Sequence, residues 1–254
     1  MTDADKGSSQ RLKSVDHAFK IIDFLRENGP ATLSDIASEF DMPMSTAHVY
    51  MSTLLDSEYV IKHNNEYKCS LRFLWTGGHI RNEMPIYHAA KSEVESLQED
   101  IGEYANIGTD QNGYMIQLYK SENPDSIDDK APLGAHFYLH TTATGKAILS
   151  EWSQDELDEH IQQFGLPEQT ENTVTNRAEL ERELEDTRER GYAVNDAEHY
   201  HGVRAVAVPI IGEAGEVIGA ISASGPLSRI RTDRIKEEIA PKLFDKKNII
   251  ELKL

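Results

Sequence analysis

Cysteine is almost absent from this chain: Cys69 is the one such residue in 254. That excludes an intrachain disulfide and a metal site built from cysteines. Long apolar runs are missing as well. Nothing approaches the roughly 18–20 apolar residues of a membrane-crossing helix, and the opening MTDADKGSSQRLK has no apolar core of the kind a secretory leader carries. Together these absences predict a cytoplasmic protein with no membrane partner. Basic side chains are the third scarcity, with 26 Lys and Arg against 44 Asp and Glu and a net charge of −18. A protein that bends or coats DNA by charge alone is disfavoured by that balance.

The basic deficit is uneven. Residues 1–80 hold 8 basic and 11 acidic side chains, and the remainder holds 18 and 33. A chain that approaches polyanionic DNA keeps its acidic surface away from the contact face, and this split allows it. For the acidity itself two readings stay open: ordinary variation, or a surface kept hydrated in a salty cytoplasm.

What is present supports packing. Hydrophobic residues make up 39% of the chain, and 254 residues suffice for two domains with separate cores. Residues 1–13 are small, polar and charged, and are expected to be a disordered tail. From Ser14, placed to cap a helix, Val15, Ala18, Phe19, Ile22 and Leu25 recur at helical spacing, and Gly29-Pro30 stops the run. A short helix fits 34–40, with Ile36, Ala37 and Phe40 inward. After a turn at 41–44, Ser45 is placed to cap a third helix with Ala47, Met51, Leu54 and Leu55 as its buried stripe. Two β-prone runs, 59–62 and 66–69, flank the polar tip His63-Asn64-Asn65 and read as a hairpin. Three helices and a hairpin over 14–70 make a winged helix-turn-helix order. The alternative is a small helical subdomain with no nucleic-acid role, which the hairpin disfavours.

Residues 71–85 read as a linker helix, and Leu71, Phe73, Leu74 and Trp75 give it more apolar bulk than local structure can cover. That predicts pairing with a second copy. The rest, 86–254, alternates helices at 86–101, 142–150, 154–163, 177–190 and 232–247 with strands at 105–109, 114–119, 136–139, 203–211 and 217–224. The acidic stretch 121–130 reads as a solvent loop. The pattern is α+β on an antiparallel sheet.

Several strings resemble one family. Ser14-Val15-Asp16-His17-Ala18, Leu33-Ser34-Asp35-Ile36-Ala37 and Met42-Pro43-Met44-Ser45-Thr46-Ala47-His48 resemble the helix-turn-helix of IclR-type transcription regulators. Leu139-His140-Thr141-Thr142-Ala143-Thr144-Gly145-Lys146-Ala147, the stretch 188–196, Gly202-Val203-Arg204 and Ile221-Ser222-Ala223-Ser224-Gly225-Pro226 are similar to that family's effector domain. The resemblance covers about 14–250. It implies a winged helix, a dimerising linker helix, a GAF-like effector-binding domain, and DNA binding as a homodimer or a dimer of dimers, with no cofactor.

On the third helix the residues outside the core stripe are Ser45, Thr46, His48, Val49 and Ser52, the candidates for operator contact, with Lys62 on the wing. Lys13 and Arg11, ahead of the first helix, are further basic candidates. Met44 and Val49 stand where the family usually has Lys and Arg, and a thymine methyl would suit Val49. By the resemblance, Ser222 and Ser224 face an effector, with Ala143, Thr144 and Gly145 offering backbone N–H groups. Asn195 and Ala205 occupy places often held by Asp and Cys, so the effector, a small organic acid or an aromatic or sugar metabolite, can differ from that of relatives. The rival reading is a metal-dependent enzyme using Asp196, Glu198, His199 and His201. Their spacing is poor evidence for it, and the Thr144-Gly145-Lys146 string lacks the glycines of a phosphate loop.

Overall fold

The computed structural model describes residues 12–124, 126 and 131–254, and divides into two compact units, Met1–Ile80 and Arg81–Leu254. The expected tail lies outside the described residues as far as residue 11, as do five positions of the expected loop at 121–130.

In the first unit, α1 (Lys13–Asn28) ends where Gly29 takes the positive φ of 81° that a glycine tolerates. Ser14 is inside this helix; Leu12 stands at the cap and no side chain caps it. The strand β1 (Ala31–Thr32) leads into α2 (Leu33–Glu39), which starts with a reciprocal capping box between Thr32 and Asp35. Helix α3 (Met44–Asp56) follows with Pro43 at the cap position and no side-chain cap, so Ser45 lies inside the helix and does not cap it. Next come β2 (Val60–His63) and β3 (Glu66–Cys69), antiparallel, turning through Asn64 and Asn65 at φ 47° and 67°. Two successive left-handed residues make the tight turn whose twist matches a hairpin, and asparagine tolerates that conformation. Pairing of β1 with β3 completes a three-stranded wing. A two-residue strand carries no periodic signal, so the sequence does not announce it.

The core of this unit gathers Ile21, Leu25, Ile36, Met51, Leu54, Val60 and Tyr67. The stripe read for α1 is corrected here: Ile21 and Leu25 are buried, whereas Phe19 is 62% exposed and Val15 48%. Periodicity locates an apolar face but does not say what covers it. Helix α4 (Arg72–Asn82) follows the wing and has no buried residue. Phe73 is a second correction, because its ring packs on Tyr59 at 5.0 Å instead of standing free.

The second unit opens with α5 (Pro85–Ile101), then β4 (Tyr104–Gln111), β5 (Tyr114–Ser121) and β6 (His136–Tyr138). A 3-10 turn (Leu139–Thr141) leads into α6 (Ala143–Leu149), followed by α7 (Gln154–Phe164) and α8 (Arg177–Arg190). Three further strands are β7 (Ala193–Asp196), β8 (Val203–Ile211) and β9 (Val217–Pro226). The closing segment is α9 (Thr232–Arg234), a π turn (Ile235–Ile239) and α10 (Ala240–Glu251).

All six strands pair antiparallel in the order β6-β5-β4-β9-β8-β7. Alternation along each strand gives the sheet two apolar faces. Val94 and Leu97 of α5 and Ile239 and Leu243 near the C-terminus pack on Ile107, Val206, Val208 and Ile221. The other face carries Ala193, Ala207 and Ala220 under Ala143, Ala147, Ile148 and Leu180. Small residues on that face let α6 approach the sheet closely and leave space beside it.

Candidate effector cavity and DNA-reading face

Because Ala47, Met51 and Leu54 turn inward, the other side of α3 presents Ser45, Thr46, His48 and Val49, all exposed, with Ser52 half-buried. His48 Nδ1 lies 3.4 Å from Ser52 Oγ, one turn along the same side. The Thr46 N–H is spent on the Pro43 carbonyl at 2.9 Å, so its hydroxyl is what Thr46 can offer a phosphate. Thr53, also exposed and not foreseen, donates its hydroxyl to the Val49 carbonyl at 2.9 Å. On the wing, Lys62 Nζ sits 5.0 Å from the Tyr67 ring centroid, a cation–π contact that steadies the charge. No Lys or Arg falls between Arg26 and Lys62 in the sequence, so hydroxyls, the imidazole and this wing lysine are the donors on the face.

In the second unit the strand register assembles a cavity. Asn195, Ala205, Ser224 and Tyr104 form one cross-strand row over β7, β8, β9 and β4. Two residues along, Ala207, Ser222 and Asn106 form the next. Residues two apart share a face, so both serines point the same way as Asn106. The start of α6 closes over them to leave a cavity of about 70 Å³. That is room for roughly five waters or a small organic molecule.

Thr144, Asn195, Ala205, Ser222 and Ser224 line this cavity, and Ala143 and Gly145 do not. Ala143 belongs to the core under α6. Gly145 is pressed on the 3-10 turn, where a Cβ would come within 2.1 Å of the Leu139 carbonyl oxygen. Its N–H donates to the Thr142 hydroxyl at 3.0 Å, the cap of α6. Of the three backbone donors read for this loop, that of Gly145 is therefore spent on the helix cap. Asn195 reaches the wall with its amide engaged: Nδ2 donates to the Thr141 carbonyl, and Oδ1 accepts the Glu198 N–H at 3.3 Å.

The sequence reading missed Tyr104, Asn106, Gln117 and Phe137, which also line the cavity. The Tyr104 hydroxyl donates to Gln117 Oε1 at 2.9 Å, and Gln117 Nε2 donates onward to the Ala131 carbonyl at 3.4 Å. Thr144 Oγ1 stands 3.5 Å from Asn106 Oδ1. A signal existed, since amides inside apolar strands need a partner when buried.

Behind the cavity wall lies a buried charge cluster. Lys146 on α6, 1% exposed, donates to Glu183 Oε2 on α8 at 2.5 Å and forms an ion pair with Glu198, also at 2.5 Å. Burial pushes the Glu198 carboxyl up, against the pull of Lys146. The segment carrying Glu198 is pinned by Thr170 and Thr173, whose hydroxyls donate to the Ala197 and Glu198 carbonyls at 2.8 and 2.7 Å. Nearby His140 is fully buried, and its Nε2 lies 3.1 Å from the Pro167 carbonyl. Burial lowers its pKa to about 4, with the Pro167 contact opposing and His160 and Lys146 adding to the shift.

The four residues of the enzyme reading diverge. Arg204 takes Asp196 at 2.6 Å, Lys146 takes Glu198, His199 packs edge-on against Phe137 at 4.9 Å, and His201 faces Glu171 at 3.3 Å. Among the described residues no three His, Cys, Asp or Glu are grouped to hold a metal ion, and no helix is long and apolar enough to cross a membrane.

Comparison with known proteins decides the class. A family model described as the bacterial transcriptional regulator IclR C-terminal domain matches residues 79–248, and the IclR helix-turn-helix domain matches 14–62. The chain belongs to the IclR family. It is thus a transcription regulator with a helix-turn-helix DNA-binding domain and an effector-binding domain, and the family is not one of enzymes. The chain is 29% identical to a probable HTH-type transcriptional regulator ArcR of Halobacterium salinarum, over 99% of this chain and 97% of that protein. The crystal structure of the Thermotoga maritima IclR superposes with a TM-score of 0.82 at 30% identity, over 96% of this chain and 99% of the other. The inducer-binding domain of an Acinetobacter PobR double mutant, solved with 3-hydroxybenzoic acid, matches at 25% identity and a TM-score of 0.59, over 65% of this chain and 95% of that one.

Proposed function

We propose that this IclR-family regulator reads its operator with Ser45, Thr46, His48, Val49 and Ser52 of α3 and with Lys62 of the wing, as a homodimer or dimer of dimers in the cytoplasm. Its effector is a small oxygen-bearing organic molecule held by Ser222, Ser224, Thr144 and Asn106, against Phe137. The observation that carries this is the paired cross-strand rows that turn two serines and an amide into one cavity. Hydroxyl and amide donors with an aromatic wall suit a carboxylate or hydroxyl group on a compact carbon frame. The Acinetobacter relative's hydroxybenzoate is of this chemistry. The domain division supporting this reading is a winged helix at 14–70, a linker helix at 71–85 and the effector domain at 86–254. Exposed Leu74 and Trp75 on α4, with Phe19 on α1, supply the apolar surface for the second copy.

Effector and operator sit on different units, so any effect of one on the other is a coupling, and it is reciprocal. The experiment is the double substitution Ser222→Ala with Ser224→Ala, read by operator binding with and without 3-hydroxybenzoate and related small acids. Unliganded DNA binding is expected to stay near the parent's while the response disappears. A double variant with the parent's response midpoint places the effector elsewhere.

A further inference from the structure

Helix α7, the β4–β5 turn and the β8–β9 turn enclose a second cleft that shares no lining residue with the effector cavity. Asp110, Glu151, Glu159 and Glu216 line it, and no lysine or arginine does. Glu156 lies there too, but its carboxylate is committed to the cap of α7, accepting the Ser153 N–H at 2.8 Å. The other four carboxylates meet no cationic partner among the described residues. Asp110 is half-buried, and burial raises its carboxyl, opposed by its own backbone N–H, with Glu156 adding to the rise.

The second observation is His160. It is 6% exposed, lines the cleft, and has no hydrogen-bond partner among the described residues. Neither ring nitrogen is a sealed polar atom among the described residues, so the imidazole, although the residue is largely buried, keeps access to the cleft it lines. Its ring packs between Trp152, centroids 5.5 Å apart, and Phe164, 5.0 Å apart. Burial lowers its pKa, so near neutrality the ring is uncharged and one nitrogen is an acceptor. Phe164 is fixed in turn, because its ring fills the space where a Cβ on Gly113 would be, and it meets the Tyr114 ring edge at 5.4 Å.

We infer that this cleft binds a small organic ammonium ion, a protonated primary amine or diamine. Its N–H groups go to Asp110, Glu159 and the His160 imidazole, and its carbon chain lies along Trp152 and Phe164. Each part of the site suits that class. Unpaired carboxylates attract the charge, a neutral imidazole accepts an N–H, and aromatic faces favour a cation near them. A bare metal ion is disfavoured, because the carboxylates and His160 do not converge into a ligand set among the described residues.

The test uses the full chain with Trp75→Phe, which leaves Trp152 as the single tryptophan. Emission is followed while n-butylammonium or putrescine is added at ionic strength held constant with NaCl, and n-butanol is the uncharged control. The expected result is a saturable change with both amines and none with butanol. The midpoint should rise about tenfold with Asp110→Asn plus Glu159→Gln, and severalfold with Glu159→Gln alone, an exposed helix position that leaves the turn untouched. Equal responses to butanol and butylammonium would overturn the inference. So would variants that keep the parent's midpoint, or Mg²⁺ producing the same saturable change at the same concentrations.

Discussion

Replacing Lys146 by Met probes the cluster behind the effector cavity. Methionine keeps most of the aliphatic stem, so packing under α6 changes little, and the ammonium is what is lost. Glu198, 4% exposed, is then a buried carboxylate with its cation gone. Two unit charges 4 Å apart attract by about 4 kcal/mol at an effective dielectric near 20, and more at closer range. Burying both charges offsets part of that, and breaking such pairs costs about 3–5 kcal/mol because the remaining charge is uncompensated. Glu183 is one-third exposed and regains water, so it adds little. Urea unfolding at pH 7 should therefore show Lys146→Met less stable by about 3–5 kcal/mol. Adding Glu198→Gln should return about half of the loss or more, since the amide oxygen can still accept the Asp196 N–H. The pH dependence has a definite sign. Glu198 is already raised in the parent, and loss of Lys146 raises it further, so the penalty grows as pH rises and shrinks as Glu198 takes up a proton. The gap between variant and parent should be smaller at pH 5 than at pH 7. A loss below about 1 kcal/mol that is the same at both pH values would refute the account.

Three further expectations follow from other parts of the molecule. His140, with its pKa lowered to about 4, favours the folded state above its unfolded pKa of about 6.5; this stabilisation is lost as pH falls from there toward 4, by at most about 3 kcal/mol. Urea midpoints measured across that range should fall less in His140→Gln than in the parent. His48→Ala should weaken operator binding by about 1–3 kcal/mol if the ring contacts a base, and unchanged affinity and sequence preference in a binding titration would remove His48 from the reading face. Leu71, Leu74 and Trp75 are 81%, 71% and 70% exposed, so light scattering should find a dimer or larger, and Leu74→Glu with Trp75→Glu should shift it toward monomer; a monomeric parent would show that this surface pairs with nothing.

Local chemistry settles much of the molecule. The helix stops at Gly29 and Gly191, the Asn64-Asn65 turn and the apolar runs of β8 and β9 follow from backbone preference and side-chain period, which act within a few residues. The same-face placement of Ser222 and Ser224 follows from strand alternation alone. Tertiary structure decided what lies opposite. Asn106 and Tyr104 reach the serines only because β4 pairs with β9, more than a hundred residues away in the chain. The Thr142 hydroxyl takes up the Gly145 N–H because the chain enters α6 with Thr142 at its cap, which spends a backbone donor. Phe19 and Ile21 are both apolar and two residues apart, yet one is exposed and the other buried. A helix periodicity states which residues share a face, and burial is settled by whichever element comes to rest against it.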